Sequence, residues 1–392
     1  MEALLATLDT ESGAARFVGG AVRDGLLGLP VSDIDIATRF LPDDVLGRLK
    51  AAGIRAVPTG IAHGTITAVL PGGPVEITTL RRDVSTDGRR ATVAFSEDWQ
   101  EDAARRDFTI NALSADPLTG EIFDYFGGLA DLDRRIVRFI GDPLQRIAED
   151  HLRILRFFRF HARFGEDAPD AAALDACTAR ANDLMALSRE RIADEMLKLL
   201  ALPAPSPTLR LMVEQGILRP VLPEIGMDGV DRLTRLEARE KQTGTAPDPA
   251  RRLAALLPAD AGVAAAVAAR LRLSNRMMKR LTCAADRSEA RGTRPHLLAY
   301  AIGRDEALDR ILIGEDEAAV VPGVERLRDW ERPRIGIGGG DLIAMGLKPG
   351  PLVARTLQAL ERQWAESGFP ADPAAIRAMA ENQVAEALRD NM

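Results

Sequence analysis

The sequence predicts an α+β fold in which a mixed-sheet head is followed by an all-helical remainder. Short apolar runs separated by glycine turns, typical of strands, dominate the first part of the chain. Beyond them, apolar residues recur every three or four positions, as they do on helices. Because 392 residues, 46% of them hydrophobic, can bury more than one core, we expect several domains. We place a head at residues 1–141, a helical neck at 142–202 and a helical body and tail at 203–392.

Composition and charge narrow the class of protein. The chain has no apolar run of transmembrane length and no basic-then-apolar segment at its start, so we expect no membrane partner. Cys177 and Cys283 are too few and too far apart for a disulfide framework or a zinc cluster, which indicates a reducing, cytoplasmic location. The net charge of −7 argues against a general polyanion binder. Locally, residues 134–163 hold eight arginines against three acids, so we expect nucleotide or RNA contacts there.

The chain is organised around residues 16–38, which predict a strand, a glycine turn, a short helix and a second strand. The first strand and the helix are expected at Arg16–Val18 and Ala21–Leu27, with Gly28 closing the helix. The second strand bears Asp33 and Asp35. Since side chains alternate along a strand, both carboxylates point the same way, with Cα atoms about 6.5 Å apart. Ile34 and Ile36 then face the core.

This element predicts a site for a metal-bound triphosphate. Two carboxylates side by side repel each other unless a divalent cation lies between them, and Mg²⁺ prefers such oxygens together with substrate phosphates. The Gly19-Gly20 turn lets backbone approach a phosphate, the following helix N-terminus is electropositive, and Arg23 adds a positive charge. Taken singly, a D-x-D pair most often marks a solvated strand end and a Gly-Gly pair a simple turn.

The rest of the head alternates between helix and strand. We expect a helix at Pro42–Gly53 and strands at Ile54–Val57, Thr65–Leu70 and Val75–Leu80. Glu76, flanked by apolar residues on the last of these strands, is a candidate third catalytic or metal-side acid. The alternative is a strand glutamate that pairs with an arginine such as Arg81 or Arg82.

Residues 81–141 are expected to complete the head. Residues 81–100 are charged and weakly periodic, which predicts a mobile loop. A helix should follow at Arg105–Leu113, offering Arg106 to a phosphate and Asp107 and Asn111 to sugar hydroxyls or to the turn that shapes the pocket. An arginine–aspartate pair on a helix is otherwise an ordinary surface salt bridge. Residues 124–141 predict a turn and a closing strand.

A helix at Pro143–Phe164 carries the predicted base-reading pair, Asp150 and Arg153. The exocyclic amine of cytosine or adenine can donate to a carboxylate, while the neighbouring ring nitrogen accepts from a guanidinium. One aspartate and one arginine can therefore select C and A against U and G. Arg156 and Arg159 should meet phosphates of the nucleotide or primer. The alternative is a set of helix ion pairs, each contributing a few tenths of a kcal/mol.

Helices are expected through the remainder of the chain. A second neck helix follows through residues 187–195, with Ser188 as its cap. Periodic apolar positions predict five more helices, at Leu209–Gln215, Asp231–Lys241, Arg251–Leu257, Gly262–Leu271 and Asn275–Asp286. A second basic cluster is equally compatible with a solvated face and with RNA backbone contacts; it comprises Arg270, Arg272, Arg276, Lys279 and Arg280.

Three strings together resemble the class II CCA-adding enzyme and bacterial poly(A) polymerase family. They are the GG-x-V-R-D-x-L-L-G and D-I-D-I-A-T element, RRDFTINA at 105–112 and EDHLR at 149–153. The resemblance implies a polymerase beta-like nucleotidyltransferase head and template-independent addition of C, C and A to tRNA from CTP and ATP. It implies that Asp33 and Asp35 hold two Mg²⁺ ions and that 81–100 takes part in switching between nucleotides. Glu190, Arg191 and Glu195 match the family's last motif and should brace the base-reading helix.

The resemblance also implies the partners. They are tRNA, contacted at its 3′ end, acceptor stem and elbow, with the Gly340–Leu342 and Gly346–Pro351 segments resembling the family's elbow-binding tail. No protein partner is implied. Alternatives within the fold are a poly(A) polymerase and a partial CC-adding or A-adding enzyme. From another class, the chain could be a catalytically silent RNA-binding protein, against which the intact Asp33, Asp35 and Arg106 argue.

Overall fold

A computed structural model describes residues 1–31, 33–87, 90–166, 168–286 and 294–389. The chain divides into two compact units, Met1–Met227 and Asp228–Met392. In these described ranges, no single helix is long and apolar enough to cross a membrane. One bent pair, Pro249–Leu256 with Ala261–Arg270 at 120°, meets the length and composition requirements only when its helices are taken together.

The described strands of the head are β1 (Ala15–Val18), β2 (Asp35–Thr38), β3 (Arg55–Gly60), β4 (Thr65–Leu70), β5 (Gly73–Thr79), β6 (Arg81–Asp87), β7 (Arg90–Phe95), β8 (Ser114–Ala115) and β9 (Ile122–Phe123). Seven of them form a mixed sheet at the centre of the head, in the order β3-β4-β5-β2-β1-β8-β9. Strands β2 and β5 run parallel, and the register sets Asp35 directly opposite Glu76. Strands β6 and β7 form a separate antiparallel pair.

Helices pack against the head sheet and bury its core, with α1 and α3 next to Ile36 and Ile77 and Trp99 next to Val18 and Ala37. The helices of this region are α1 (Glu2–Thr7), α2 (Gly20–Leu26), α3 (Pro42–Ala51), α4 (Trp99–Ala104) and α5 (Gly128–Asp133). Leu4 of α1 and Leu49 of α3 are fully buried against Ile36 and Ile77 of the central strands. Each fully buried aliphatic side chain of this kind stabilises the fold by roughly 1.5–3 kcal/mol. The core thus holds the parallel β2–β5 pair rigidly in place.

Five α-helices follow the head in the described part of the first unit. They are α6 (Pro143–Glu149), α7 (Arg153–Phe164), α8 (Ala171–Ala179), α9 (Arg189–Leu200) and α10 (Ser206–Glu214). An aromatic cluster joins α7 to the end of the head: the ring of Phe108 lies 4.9 Å from Phe139 and 5.2 Å from Phe160, and Phe139 lies 5.8 Å from Phe157. This buried cluster fixes α7 against the segment that carries Arg106 and Asp107.

Helices are the regular secondary structure of the second unit in its described residues. Its helices are α11 (Met227–Thr243), α12 (Pro249–Leu256), α13 (Ala261–Arg270), α14 (Asn275–Ala285), α15 (Pro295–Ile302), α16 (Arg304–Ile313), α17 (Glu317–Leu327), α18 (Gly339–Ala344), α19 (Pro351–Glu366) and α20 (Pro373–Arg389). A buried ionic network joins three of them: Arg251 donates to Glu240 and to Asp309 at 2.7 and 2.8 Å. Arg280, from the second basic cluster, also pairs with Asp309.

Most of the predicted elements are confirmed. The helix predicted from Pro42, the strand Thr65–Leu70 and the five helices after Leu202 all occur, with ends shifted by a few residues. The first glycine-rich element also forms, but β2 begins only at Asp35, so Asp33 precedes the strand rather than lying in it. Ile34 packs against the core and Ile36 is fully buried, as expected. Ser32 lies outside the described residues.

The predicted loop at 81–100 was wrong for most of its length. Residues 81–87 and 90–95 pair as β6 and β7, with Arg81 opposite Phe95, and Trp99 begins α4; positions 88 and 89 lie outside the described residues. The β-branched residues of this segment favour strands. The prediction of a loop gave more weight to the charged residues of the same segment. Residues 124–141 form α5 and a single bridge between Phe108 and Phe139, so the predicted closing strand is reduced to that bridge.

Two predicted helices are interrupted by aspartate side chains. The helix predicted at Arg105–Leu113 is reduced to a 3-10 turn at Thr109–Asn111. Asp107 Oδ1 accepts hydrogen bonds from Phe108 N and Asn111 Nδ2, and Thr109 N donates to the Arg138 carbonyl. The helix predicted at Pro143–Phe164 breaks at Asp150, which is extended and accepts from Leu152 N at 3.1 Å. In both places a short acidic side chain competes successfully for backbone donors.

Candidate active site

A cleft of ≈ 860 Å³ lies between the head sheet and helices α7 and α9, within the first unit. It gathers twelve of the thirteen predicted site residues from five separate segments of the chain. These lining residues are Gly19, Gly20, Arg23, Asp33, Asp35, Glu76, Arg106, Asp107, Asn111, Asp150, Arg153 and Arg156. The described lining does not include the thirteenth, Arg159. Phe160 and Lys198 complete it.

Three carboxylates form the acidic side of the cleft. Asp35 begins β2, Glu76 lies opposite it on the parallel strand β5, and Asp33 precedes β2. Burial raises the pKa of Asp35 above its ordinary value, the charge of Glu76 raises it further, and Arg106 partly opposes the rise. A buried carboxylate with acidic neighbours is destabilised in its charged form, so a bound cation would be favourable there.

The donor set at this edge fits a hard divalent cation shared with a phosphate ligand. Among the described residues, no three His, Cys, Asp or Glu side chains are grouped closely enough to hold a metal ion by themselves. Mg²⁺ commonly takes only one or two protein carboxylates and completes its shell with water and substrate phosphates. Carboxylate oxygens on one side of an open cleft are therefore a suitable partial shell, whereas a closed protein cage is not formed.

The glycine turn and Arg106 form the wall beside the acids. Gly19 has φ +66° and ψ −128°, a conformation that L residues with a side chain rarely adopt. A Cβ atom at Gly19 would lie 2.8 Å from Arg106 Nη1, so only glycine lets the guanidinium approach this closely. Arg106 Nη1 also donates to the Asn111 carbonyl at 3.3 Å. The turn therefore brings backbone and a cation together at the wall of the cleft.

Arg23 is more enclosed than the sequence suggested. Arg23 is only 5% exposed. Burial lowers the pKa of its guanidinium, and the charge of Asp24 partly offsets this by raising that pKa. It pairs with Asp24 at 2.6 Å and donates through Nη1 to Asn111 Oδ1. Asp24 in turn accepts from Arg163 of α7 at 3.0 Å. Arg23 thus links the glycine turn to Asn111 as well as contributing charge to the cleft.

Asp107 forms the central link between the head and α7. Burial alone would raise the pKa of this carboxyl, but the charge of Arg156 and the hydrogen bonds from Asn111 and Arg156 hold it below its ordinary value. Arg156 donates to Asp107 Oδ2 and lies 3.8 Å from Glu195. Glu195 of α9 accepts from Arg159 at 2.6 Å. Arg159 is therefore committed to bracing α7 against α9.

Asp150 and Arg153 both line the cleft, but each is held by a different partner. Asp150 Oδ2 accepts from Arg191 of α9 at 2.7 Å. Arg153 pairs with Glu149 at 2.5 Å and donates to the carbonyls of Arg146 and Arg105. Arg191 and Glu195 make the expected contacts from α9 to this region, whereas the bracing role of Glu190 stays a prediction. The pair projects from a break between two helices, not from one continuous helix.

Phe160 and Lys198 were missed by the sequence prediction. Phe160 lies under three arginines, with Arg159 4.6 Å from its ring centre and Arg23 and Arg156 each 5.2 Å away. Phe160 lies three residues from both Phe157 and Arg163, which is a helical spacing. This spacing could not show which side of the helix faced a cleft. Lys198 lies three residues after Glu195 on α9, on the face that carries Arg191. The helical spacing from Arg191 to Lys198 could therefore have identified Lys198 as a cleft residue from the sequence.

Comparisons with known proteins agree with this architecture. A family model described as "Poly A polymerase head domain" matches residues 15–138, and one described as "Probable RNA and SrmB- binding site of polymerase A" matches 169–227. The structure is similar to the crystal structure of the Bacillus stearothermophilus CCA-adding enzyme in complex with CTP. The TM-score is 0.78 at 28% identity, over 100% of this chain and 99% of that one. The fold and cleft define a nucleotidyltransferase.

Relatives that match most of the chain narrow the class further. The mouse (Mus musculus) mitochondrial CCA tRNA nucleotidyltransferase 1 is 36% identical over 378 residues, covering 92% of this chain and 84% of that protein. The CCA-adding enzyme of Levilactobacillus brevis is 32% identical over 389 residues, with 95% of each covered. The chain belongs to the CCA-adding tRNA nucleotidyltransferase family.

Proposed function

We propose that this enzyme extends the 3′ end of tRNA with C, C and A from CTP and ATP without a nucleic-acid template. The observation that carries the proposal is the single cleft that joins three carboxylates and a glycine turn to Asp150 and Arg153. Such a cleft offers a metal and phosphate side and a base side to one nucleotide. Relatives that match 92% and 95% of the chain are named CCA tRNA nucleotidyltransferase and CCA-adding enzyme.

Asp33 and Asp35 are the proposed holders of Mg²⁺, with Glu76 beside them as a supporting acid. Nucleotidyltransferases of this family generally use divalent metals, and the open acidic edge fits a cation that also binds substrate phosphates. When bound, the metal supplies activation of the primer 3′-hydroxyl and neutralisation of the leaving pyrophosphate. Glu76 adds negative charge next to Asp35, which strengthens the attraction for a cation.

The proposed phosphate-binding groups lie on the wall next to the acids. The Gly19-Gly20 turn allows close approach of backbone N–H groups, and Arg106 presents its guanidinium there. Asp107 and Asn111 already use their side chains on Arg156 and Arg23, so we assign them to shaping the pocket for the ribose. Arg156 supports the Asp107 side chain. Arg159 supports the pocket indirectly, through its ion pair with Glu195.

Asp150 and Arg153 are the proposed base-reading pair. A carboxylate accepts up to about four hydrogen bonds, so Asp150 retains acceptor capacity beyond Leu152 N and Arg191. That capacity suits the exocyclic amine that cytosine and adenine share, and the Arg153 guanidinium suits the adjacent ring nitrogen. Uracil and guanine present a carbonyl where the amine is needed. That carbonyl oxygen and the Asp150 carboxylate are both hydrogen-bond acceptors, so they would repel each other.

The remaining regions are proposed to bind tRNA. We assign residues 1–141 to catalysis, 142–202 to base reading and 203–392 to the acceptor stem and elbow of tRNA. The match of residues 169–227 to a probable RNA-binding model supports RNA contact at the end of the neck and the start of this last region. We also propose a cytoplasmic location, which the free Cys177 and Cys283 support because disulfides are rare in reducing compartments.

Incorporation of labelled nucleotides into tRNA lacking its last three residues tests the proposal. CTP and ATP are supplied singly and together with Mg²⁺, and we expect addition that stops after C, C and A. An unlimited A ladder would instead make the chain a poly(A) polymerase, and addition of only CC or only A would make it a partial enzyme. Incorporation by an Asp35→Asn variant at the wild-type rate would overturn the assignment of the acids.

A further inference from the structure

Asp102 lies outside the cleft yet connects three parts of the head that surround it. The residue is on α4 and is 3% exposed. Its Oδ1 accepts from Arg81 N at 3.3 Å and from Arg105 Nε at 2.8 Å, and its Oδ2 accepts from Arg106 Nη2 at 3.3 Å. The carboxylate therefore contacts the first residue of β6 and both arginines that precede Asp107.

Arg106 is held from two sides by these contacts. Asp102 binds Nη2, while Nη1 faces the Gly19 turn and donates to the Asn111 carbonyl. Without the carboxylate, the Nη2 end of the Arg106 side chain would lose its ion pair with α4. An arginine that loses a fixed partner regains rotamer freedom, which lowers its effectiveness as a preorganised phosphate ligand.

The same aspartate also anchors the backbone next to the base-reading arginine. Arg105 pairs with Asp102 through its side chain, and its carbonyl accepts from Arg153 Nη2 at 3.0 Å. Burial alone would raise the pKa of Asp102, but the charges of Arg105 and Arg106 hold it below the ordinary value. The carboxylate is thus charged at neutral pH and available to both arginines.

We infer that Asp102 is a positioning residue that fixes Arg106 beside the Gly19 turn and ties the first residue of β6 to the nucleotide cleft. The inference rests on the proposed function, because it takes Arg106 as a ligand of the incoming triphosphate. Asp102 itself touches no substrate in this assignment. It acts on nucleotide binding through Arg106 and on β6 through the Arg81 amide.

The direct test is steady-state kinetics of the Asp102→Asn enzyme with CTP and tRNA lacking CCA. Asparagine keeps the size and one acceptor but removes the charge that holds Arg106. We expect KM for CTP to rise about tenfold with kcat reduced less than about threefold, because a charge-assisted contact is weakened in the bound state. Glu101→Gln on the same helix removes an acid that bonds Ser96, and should change neither constant more than about twofold.

A double-mutant cycle separates positioning from a general structural role. If Asp102 acts through Arg106, the Asp102→Asn/Arg106→Lys enzyme should match Arg106→Lys alone in kcat/KM within about twofold. Multiplied losses would overturn the inference. Should Asp102→Asn fold poorly by thermal melting, Asp102→Glu keeps the charge, and its KM for CTP should lie nearer to wild type; a KM as high as that of the asparagine enzyme would also contradict the inference.

Hydrogen exchange tests the connection to β6. The Arg81 amide should exchange at least about tenfold faster in Asp102→Asn than in Glu101→Gln, since its carboxylate acceptor is weakened. Equal exchange in the two variants would remove β6 from the inference. These outcomes are distinct from failure of the proposed function, in which the wild-type enzyme would add no nucleotide to tRNA.

Discussion

Arg191 donates to Asp150 Oδ2 at 2.7 Å, across 41 residues of sequence and from a different helix. The contact fixes the carboxylate at the break between α6 and α7, where its backbone is extended. Arg153, in contrast, is paired with Glu149 and two carbonyl oxygens. The two groups proposed to read the base are therefore oriented by separate partners, so each can be tested separately.

The first prediction concerns discrimination between bases. Asp150→Ala and Arg153→Ala should each lower the preference for CTP over UTP by about 10–100-fold, because a good base-edge contact contributes roughly 1–3 kcal/mol of discrimination. Incorporation of each nucleotide into tRNA lacking CCA gives the ratio of kcat/KM values. Asp175→Ala, an exposed acid on α8, is the control and should leave the ratio unchanged. Unaltered selectivity in both variants would contradict the base-reading assignment.

The second prediction concerns the acidic edge. Asp35→Ala should reduce nucleotide incorporation at least about 10³-fold, since metal stabilisation of transition-state charge is worth several kcal/mol. Binding of tRNA should be largely retained, as measured by filter binding or fluorescence. Asp133→Ala, on an exposed position of α5, should retain both activities. Substantial incorporation by Asp35→Ala would remove Asp35 from the metal role.

The third prediction uses the lowered pKa of Asp107. A carboxyl whose pKa is lower in the folded state stabilises the protein above its unfolded value of about 4, and this contribution is lost as pH falls through the folded-state pKa. Asp107→Asn should therefore lower the free energy of unfolding by about 2 kcal/mol at pH 7. This is less than the loss expected for a fully buried ion pair, because Arg156 is partly exposed and solvent screens its charge.

Denaturant titration at several pH values measures this effect. The difference between wild type and Asp107→Asn should be constant from pH 7 to about pH 5 and should narrow below pH 4. Arg156→Gln should show the same pH trend, because it removes the partner that lowers the pKa. A gap that widens on acidification would contradict the ion pair as its source.

The fourth prediction concerns Lys198, whose side chain is 53% exposed at the cleft and pairs with Asp194. An exposed ammonium there is available to an RNA phosphate, so Lys198→Gln should weaken tRNA binding a few-fold and reduce its salt dependence by about one phosphate contact. Binding measured at several KCl concentrations gives this slope. Lys50→Gln, an exposed lysine on α3, should keep the wild-type slope.

Local patterns in the sequence predicted much of this fold because they report local physics. The apolar spacing around Leu49 predicted a helix, and the glycine- and proline-rich turn between the strands predicted at Thr65–Leu70 and Val75–Leu80 predicted a hairpin. The hydrogen bonds of both elements lie within a few residues. The failures at Asp107 and Asp150 share a different cause. There the side chain bonds nearby backbone, and distant partners, Arg156 and Arg191, make the non-helical conformation stable.

By itself, the sequence determined the glycine turn, the two neighbouring aspartates, the basic neck and the chemistry that these residue types favour. Only the tertiary structure decided that Glu76 lies opposite Asp35, that Arg159 turns to Glu195, and that Asp102 supports Arg106. The physical reason is that a side chain's partners depend on which segments the buried core brings together. Residues far apart in sequence acquire such contacts only when the strands and helices pack.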